Sequence, residues 1–406
     1  TKFICGVEAM NVYEAKTLSL SCLGPLHIGS GGEGKLNKTQ YVFDREELKL
    51  YFINESAWVA FLQQKHLLQL FEKYVTIQAA RPALGIFDWL KQQGVGRESF
   101  GAFSYAVAAV PASDRTMLND VAPLLRDGCN KAYVPGSSLK GVFRTAILAR
   151  LLKCSGSSWW PRIKGALTEQ NKNFRDKGAR RLLEEMEQGA FHLLQLQWRN
   201  RPIERRNAVC SAMKGLLVGD AYPVGDQDET VIVRKTDWTT HQNRMGDNEK
   251  ELPLYRECLR PGTKLAFQVT IDKTLMDLLG IGGIGDLLQD VRQNTAEVDS
   301  LLRPVFSKLV PEVYRETPEV DLYVGGGTGF LMKSLAYQLA PSKDEAREAV
   351  AVYLDNAFAG WNPRERRMEP KHRHVALDKN LSPRTLKTGK LDGKRYFMGA
   401  CRLEEV

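Results

Sequence analysis

The chain has 406 residues, 43% hydrophobic and 26% charged, a balance that suits a globular protein with a sizeable core and excludes a disordered or collagen-like chain. No run of about 18 apolar residues occurs, which argues against a membrane-spanning helix and a membrane partner. The formal net charge of +9 points to an anionic partner, most simply nucleic acid.

The first residues, TKFICGVEAMNVYEAK, carry charges early and hold no signal-like apolar stretch, so a cytoplasmic protein is expected. Thr17 to Leu23 alternates strictly and predicts a strand with Leu18, Leu20 and Cys22 facing a core. A glycine-rich loop, GPLHIGSGGEG, follows, and YVFDREELKLYFIN predicts a hairpin around Asp44 to Glu47. Ser56 is the expected cap of a helix through SAWVAFLQQKHLLQLFEKYV. PGSSLKG predicts a helix start near residue 137 and a helix running to about Lys153. A second helix is expected over roughly Asp176 to Trp198. Strands return in GLLVGDAY, TVIVRKTDW and KLAFQVTID, the last with Leu265, Phe267, Val269 and Ile271 inward. GIGGIGD precedes a helical stretch, DLYVGGGTGFLMKSLAYQLA reads as strand, glycine turn and helix, and YFMGACRL as a final strand. Strands and helices mix without regular βα alternation. An α+β fold with antiparallel sheets carrying helices is therefore expected. A boundary near residue 220 would divide it into segments 1–220 and 221–406.

Charge is unevenly placed. Between Trp361 and Arg395 eleven Lys or Arg face four Asp or Glu, so seven of the nine surplus charges sit there. With Pro363, Pro370, Pro383, Gly389 and Gly393, the segment reads as loop-rich and solvated, able to contact nucleic acid. The seven cysteines form no CxxC pair, which leaves zinc-ribbon and redox motifs without support and suggests reduced thiols. HExxH, EF-hand, GxSxG and RNP1 patterns are absent from the sequence, and neither cofactor nor metal is expected.

Three stretches can carry chemistry. In PGSSLKGVFR, Ser137 or Ser138 is a suitable helix cap, while Leu139, Val142 and Phe143 form an apolar face. Lys140 and Arg144 share another face at i, i+4, beside Gly141. Cations there oppose the helix dipole at a cost of about 0.3–1 kcal/mol each. A phosphate held by the serines, the helix start and both cations would remove the conflict. The alternative is a capped helix with solvated cations. In VGGGTGFLMKS, Gly325, Gly326, Gly327, Thr328 and Gly329 allow a backbone to approach a ligand, with Lys333 one turn further on. Met332 and Phe330 break the Walker A and GxGxxG patterns, so a nucleotide-dependent enzyme is remote and a plain strand-to-helix turn is the rival. In LHIGSGG, His27, Gly29, Ser30 and Gly31 form the third stretch. His27 is a general base, a base-stacking ring or a satisfied loop histidine.

Together, LHIGSG after a first strand, VPGSSLKGVFR opening a helix and GGGTGF followed by Lys resemble the RAMP family of type III CRISPR effector complexes. The order, the length and the GGGTGFLMKS form are most similar to the fifth-subunit family of type III-A Csm complexes. The resemblance implies ferredoxin-like, RRM-related antiparallel sheets with helical insertions, in an N-terminal RAMP domain (1–220) and a C-terminal RAMP-like domain (221–406). It implies a structural subunit at the end of the Csm backbone that holds the 3′ region of guide RNA (crRNA) and supports guide maturation and antiviral defence. The partners it implies are an adjacent backbone RAMP subunit and the small helical subunit, with target RNA and host nucleases as further candidates. It places His27, the loop from Ser30, the helix start from Ser137 to Arg144 and the turn from Gly325 to Lys333 along the RNA backbone. The related target-cleaving subunit carries an Asp after its HIG stretch. Here Lys38, Thr39 and Gln40 stand in that region, so no catalytic residue is expected. The rival is a metal-independent ribonuclease with His27 as general base, and the sequence offers it no obvious partner acid.

Overall fold

The computed structural model describes residues 12–29, 34–80, 85–114, 120–155, 159–169, 177–225, 229–242 and 246–406. The period-two reading of the first strand holds. Tyr13–Cys22 is a strand in which Leu18, Leu20 and Cys22 are buried and Thr17 is exposed. It pairs antiparallel with Lys264–Asp272 on one side, where Leu18 lies opposite Phe267 and Leu20 opposite Leu265. On its other side is Ala400–Glu405, with Leu20 opposite Leu403. Leu322–Tyr323 and Leu216–Val218 complete the order, and Tyr222–Pro223 adds to Lys264–Asp272. The helices Gly136–Cys154 and Ile284–Phe306 send Leu139, Phe143 and Ile147, and Leu287 and Val291, into the same core cluster as Leu18 and Phe267. Each such fully buried apolar side chain contributes about 1.5–3 kcal/mol. That burial fixes the rotation of the first helix, and hence which residues its other faces present.

The second sheet has eight strands, mostly antiparallel. Lys394–Phe397, Thr385–Leu391, Thr230–Thr239, Ser104–Ala109, Lys49–Ile53 and Tyr41–Asp44 follow in that order, with Glu249–Leu259 and Val121–Ala122 beyond Thr230–Thr239. The expected hairpin is present, Tyr41 facing Phe52 and Asp44 facing Lys49. Helices Glu55–Gln64, Leu68–Ala80 and Ile86–Gln92 form an insertion with its own aromatic core. In it Trp58 meets Phe103 edge-on at 4.7 Å and Phe71 meets Trp89 at 5.4 Å. The first of these helices is capped by Asn54, whose side chain accepts from the Ala57 N–H, not by Ser56.

Both sheets take strands from either side of residue 220. The expected division there cuts through both sheets. The helix expected over Asp176 to Trp198 ends at Phe191. The basic stretch is not a loop. It contains a hairpin of Ala359–Asn362 with Arg367–Pro370, a short helix His374–Leu377 and two strands of the second sheet. Its prolines fall at strand ends and in turns. Most of its cations are neutralised within the fold: Arg384 by Asp378 at 2.6 Å, Lys394 by Glu316 at 2.9 Å and Arg395 by Glu249 at 2.6 Å.

Candidate nucleic-acid interface

After the first strand the chain turns and Leu26 bridges to Leu259. His27 is thereby carried inward and is only 4% exposed. Its Nδ1 lies 2.7 Å from the Glu257 carbonyl oxygen. A carbonyl only accepts, so Nδ1 carries the proton. Burial, helped by the charge of Arg256, pushes the imidazole down to about 4, so it is neutral. Glu257 is fully buried and accepts from the Leu124 N–H at 2.8 Å, the Thr230 hydroxyl at 2.7 Å and Arg126. His27 is thus a fixed strut of the loop.

The glycine turn rests on this strut. The Gly326 N–H donates to the His27 carbonyl at 2.7 Å. Gly325 has φ +87°, and a Cβ there would stand 2.3 Å from the same carbonyl oxygen, so only glycine fits. Lys333 folds back and donates from Nζ to the Gly325 carbonyl at 3.0 Å. Burial, then Arg256, lowers its pKa. Lys333 lies in a 3₁₀ turn, Leu331–Lys333, not in the first turn of a continuous helix.

The helix start departs from expectation. Its cap position is Pro135, and neither Ser137 nor Ser138 caps it. The anion there is the protein's own, since the Gly136 N–H donates to Asp220 Oδ1 at 2.7 Å. Lys140 donates to the Leu216 carbonyl at 2.6 Å, and burial, then Arg144, lowers its pKa. Arg144 forks onto Glu187 at 3.0 and 2.6 Å, with its guanidinium 5.1 Å from the Phe191 ring centre. The dipole conflict is resolved by protein groups, so Lys140 and Arg144 are not a ready phosphate clamp. Ser138, Gly141 and Thr145, at i, i+3 and i+7, line a cavity instead.

That cavity, about 420 Å³, brings the three stretches together. Ile28 and Gly29 come from the first loop, Ser138 and Gly141 from the helix, and Gly325, Gly326 and Lys333 from the glycine turn, with Asn294 and Thr295 opposite. Ser137 stays exposed at the helix start. Ser30 and Gly31 lie outside the described residues.

The outer bend of the glycine turn meets Lys387, from the basic segment, and two cations that the sequence did not single out, Arg256 and Lys235. A Cβ on Gly327 would lie 2.5 Å from Arg256 Nη1, and one on Gly329 would lie 3.4 Å from Lys387 Cγ. Arg256 Nη1 and Thr328 Oγ1 are both buried without a hydrogen-bond partner. Lys235 and Lys387 share one carboxylate, Asp237, at 3.6 and 2.5 Å. Burial, then Lys387, pushes the Lys235 ammonium down to about 8. Arg256, Lys235, Lys387 and Lys333 are therefore four neighbouring cations with one acid among them. Unpartnered donors and excess positive charge beside glycine backbone are what an anionic ligand satisfies. Only the strand registers reveal the cluster, because they set Asp237 opposite Lys387 and Arg256 opposite Val233.

A mixed fold with two largely antiparallel sheets, helices on the first and a glycine turn locked onto a histidine loop defines a class of protein. The RAMP superfamily model matches residues 19–280, well over half of the chain, and the chain belongs to that superfamily. Within it, the chain is similar to Csm5 proteins of CRISPR systems. It is 25% identical over 411 residues to the one from Mycobacterium tuberculosis, covering 97% of this chain and 98% of the relative. It is 25% identical over 336 residues to that of Streptococcus thermophilus, covering 81% and 82%. Among solved structures, a chain of a Csm–crRNA–target RNA ternary complex of a type III-A CRISPR-Cas system matches with a TM-score of 0.62 at 18% identity, covering 96% of this chain and 100% of that one. A crystal structure of T. onnurineus Csm5 matches with a TM-score of 0.55 at 17% identity, covering 94% and 99%. These two likenesses are of fold.

Proposed function

We propose that this chain is the Csm5-like subunit of a type III-A Csm effector complex, and that it holds the 3′ region of crRNA without cutting it. The observation that carries this reading is the group of four cations with a single acid, Asp237, around the glycine turn, beside the cavity where the three loops meet. Contacts of that kind grip phosphate and sugar and carry no sequence information, which suits a subunit whose guides vary. A holding role also fits His27. Its imidazole is enclosed, bonded to a carbonyl and far below the range of a general base. In this reading the subunit ends the backbone, supports guide maturation and antiviral defence, and docks on an adjacent RAMP subunit and the small helical subunit, in the cytoplasm. Target RNA and host nucleases are its further partners.

The test is to purify the tagged chain from cells carrying a CRISPR array and the other complex genes, then sequence the RNA it retains. Short RNAs with repeat-derived 5′ ends and spacer-derived 3′ ends are expected. Retained RNA without repeat sequence would overturn the reading.

A further inference from the structure

Of the seven tryptophans, only Trp198 and Trp361 are exposed, at 69% and 61%. Both stand on two-stranded hairpins that belong to neither main sheet. The first pairs Gln197–Trp198 with Arg201–Pro202 through Arg199 and Asn200, both at positive φ. In the second, Trp361 lies directly across from Met368, itself 59% exposed. Among the described residues, no apolar side chain packs either ring into a core cluster. Leaving so large an apolar surface in water has no folding rationale, since an indole stabilises a fold by being buried.

Arginines flank each exposed indole along its hairpin. The Arg199 guanidinium lies 5.9 Å from the Trp198 ring centre, and Arg201 follows. Around Trp361, the stretch from Phe358 to Arg373 holds five Lys or Arg against two Glu, and exposed Arg364 and Arg366 form the tip. An isolated two-stranded hairpin is marginal in water, yet this one has a rigid root. The Asp355 carboxylate accepts from the His374 and Val375 N–H groups at 2.6 and 3.0 Å. His374 bonds to Asp378 at 2.8 Å, and Asp378 is paired with Arg384. A buried polar clamp at the base and an aromatic, cationic tip in solvent make a finger.

We propose that the two hairpins are stacking fingers for single-stranded RNA. A base lies on each indole, and the tip arginines hold the flanking phosphates. Every base has a π-face, so stacking tolerates any sequence, and cations beside the ring fit a polyanion better than an apolar protein surface. The proposal rests on the RNA-holding reading and extends it to surfaces away from the glycine turn.

The test uses the full chain with fluorescein-labelled oligouridylate and its Trp198→Ala, Trp361→Ala, Trp361→Phe and Arg364→Ala/Arg366→Ala variants. Binding should quench the intrinsic tryptophan fluorescence. Each Trp→Ala change should weaken binding by roughly tenfold with the salt slope unchanged, and Trp361→Phe should retain most affinity. The double arginine variant should flatten the salt slope, since it removes phosphate contacts and no stacking. Wild-type affinity in both Trp→Ala variants would overturn the fingers while leaving the RNA-holding reading intact. Wild-type RNA binding, with loss of a co-expressed Csm subunit from the purified complex, would reassign the hairpins to protein docking and also overturn the proposal. No RNA binding by the unaltered chain would overturn both.

Discussion

The start of the Gly136 helix and the bend of the Gly325 turn both present cations beside glycine backbone, and they differ in what those cations meet. At the helix, Asp220 takes the backbone N–H, Glu187 takes Arg144, and a carbonyl takes Lys140. At the turn, Arg256, Lys235, Lys387 and Lys333 share little beyond Asp237 and the Gly325 carbonyl. The first region is electrostatically closed, and its cations stabilise the fold. The second has four cations to one acid, and in the proposed reading an RNA phosphate supplies the missing negative charge. A cation cluster can bind an anion to the extent that its charges outnumber the acids the fold sets among them.

Substitutions separate the two regions. The largest effect is expected for Gly325→Ala, which combines a left-handed backbone with a collision against the His27 carbonyl. It should cost about 2–5 kcal/mol in urea unfolding. Lys235→Ala/Lys387→Ala should fold normally and lose on the order of tenfold in RNA affinity per phosphate contact removed. Lys235 also makes binding pH-dependent. Its pKa is about 8 in the fold, and an anion favours the charged form, so RNA affinity should fall several-fold between pH 7 and 9. The free chain responds oppositely. Between the folded value near 8 and the unfolded value near 10.4, the unfolded chain binds more protons, so this group's contribution to stability rises with pH. That window closes in Lys235→Ala. Arg144→Ala removes a half-exposed pair and should cost about 0.5–1 kcal/mol of stability while leaving RNA affinity unchanged. The smallest effect is Gly141→Ala. Its Cβ would meet nothing within 4 Å, so the change should stabilise the helix by about 0.5–1 kcal/mol.

Local signals were readable from the sequence. Alternation placed Leu18, Leu20, Leu265 and Phe267 on the core face, and the YVFDREELKLYFIN hairpin fell where expected. The three motif stretches were also visible, and their convergence on one cavity gives them a common place. What depends on distant pairing was not legible. Glu187 lies 43 residues from Arg144, Asp220 84 from Gly136, and Asp237 150 from Lys387. Lys140 and Arg144 therefore looked free, Lys235 looked like an ordinary strand residue, and Lys387 was one of eleven cations in a stretch that read as loop. The basic C-terminal stretch read as loop because prolines and charge mask its alternation, although Trp361 and Met368 share one face of a hairpin. Asn54 captured the helix start ahead of Ser56 because its side chain reaches the Ala57 N–H.

The most direct measurement is the salt dependence of single-stranded RNA affinity for the unaltered chain, for Lys235→Ala/Lys387→Ala and for Lys140→Ala/Arg144→Ala. The expected result is a slope shallower by about 1.4 in the first variant, for two lost phosphate contacts, and an unchanged slope in the second. The reverse pattern, with the slope lost only when Lys140 and Arg144 are removed, would contradict the assignment of the open cation cluster as the RNA-holding site.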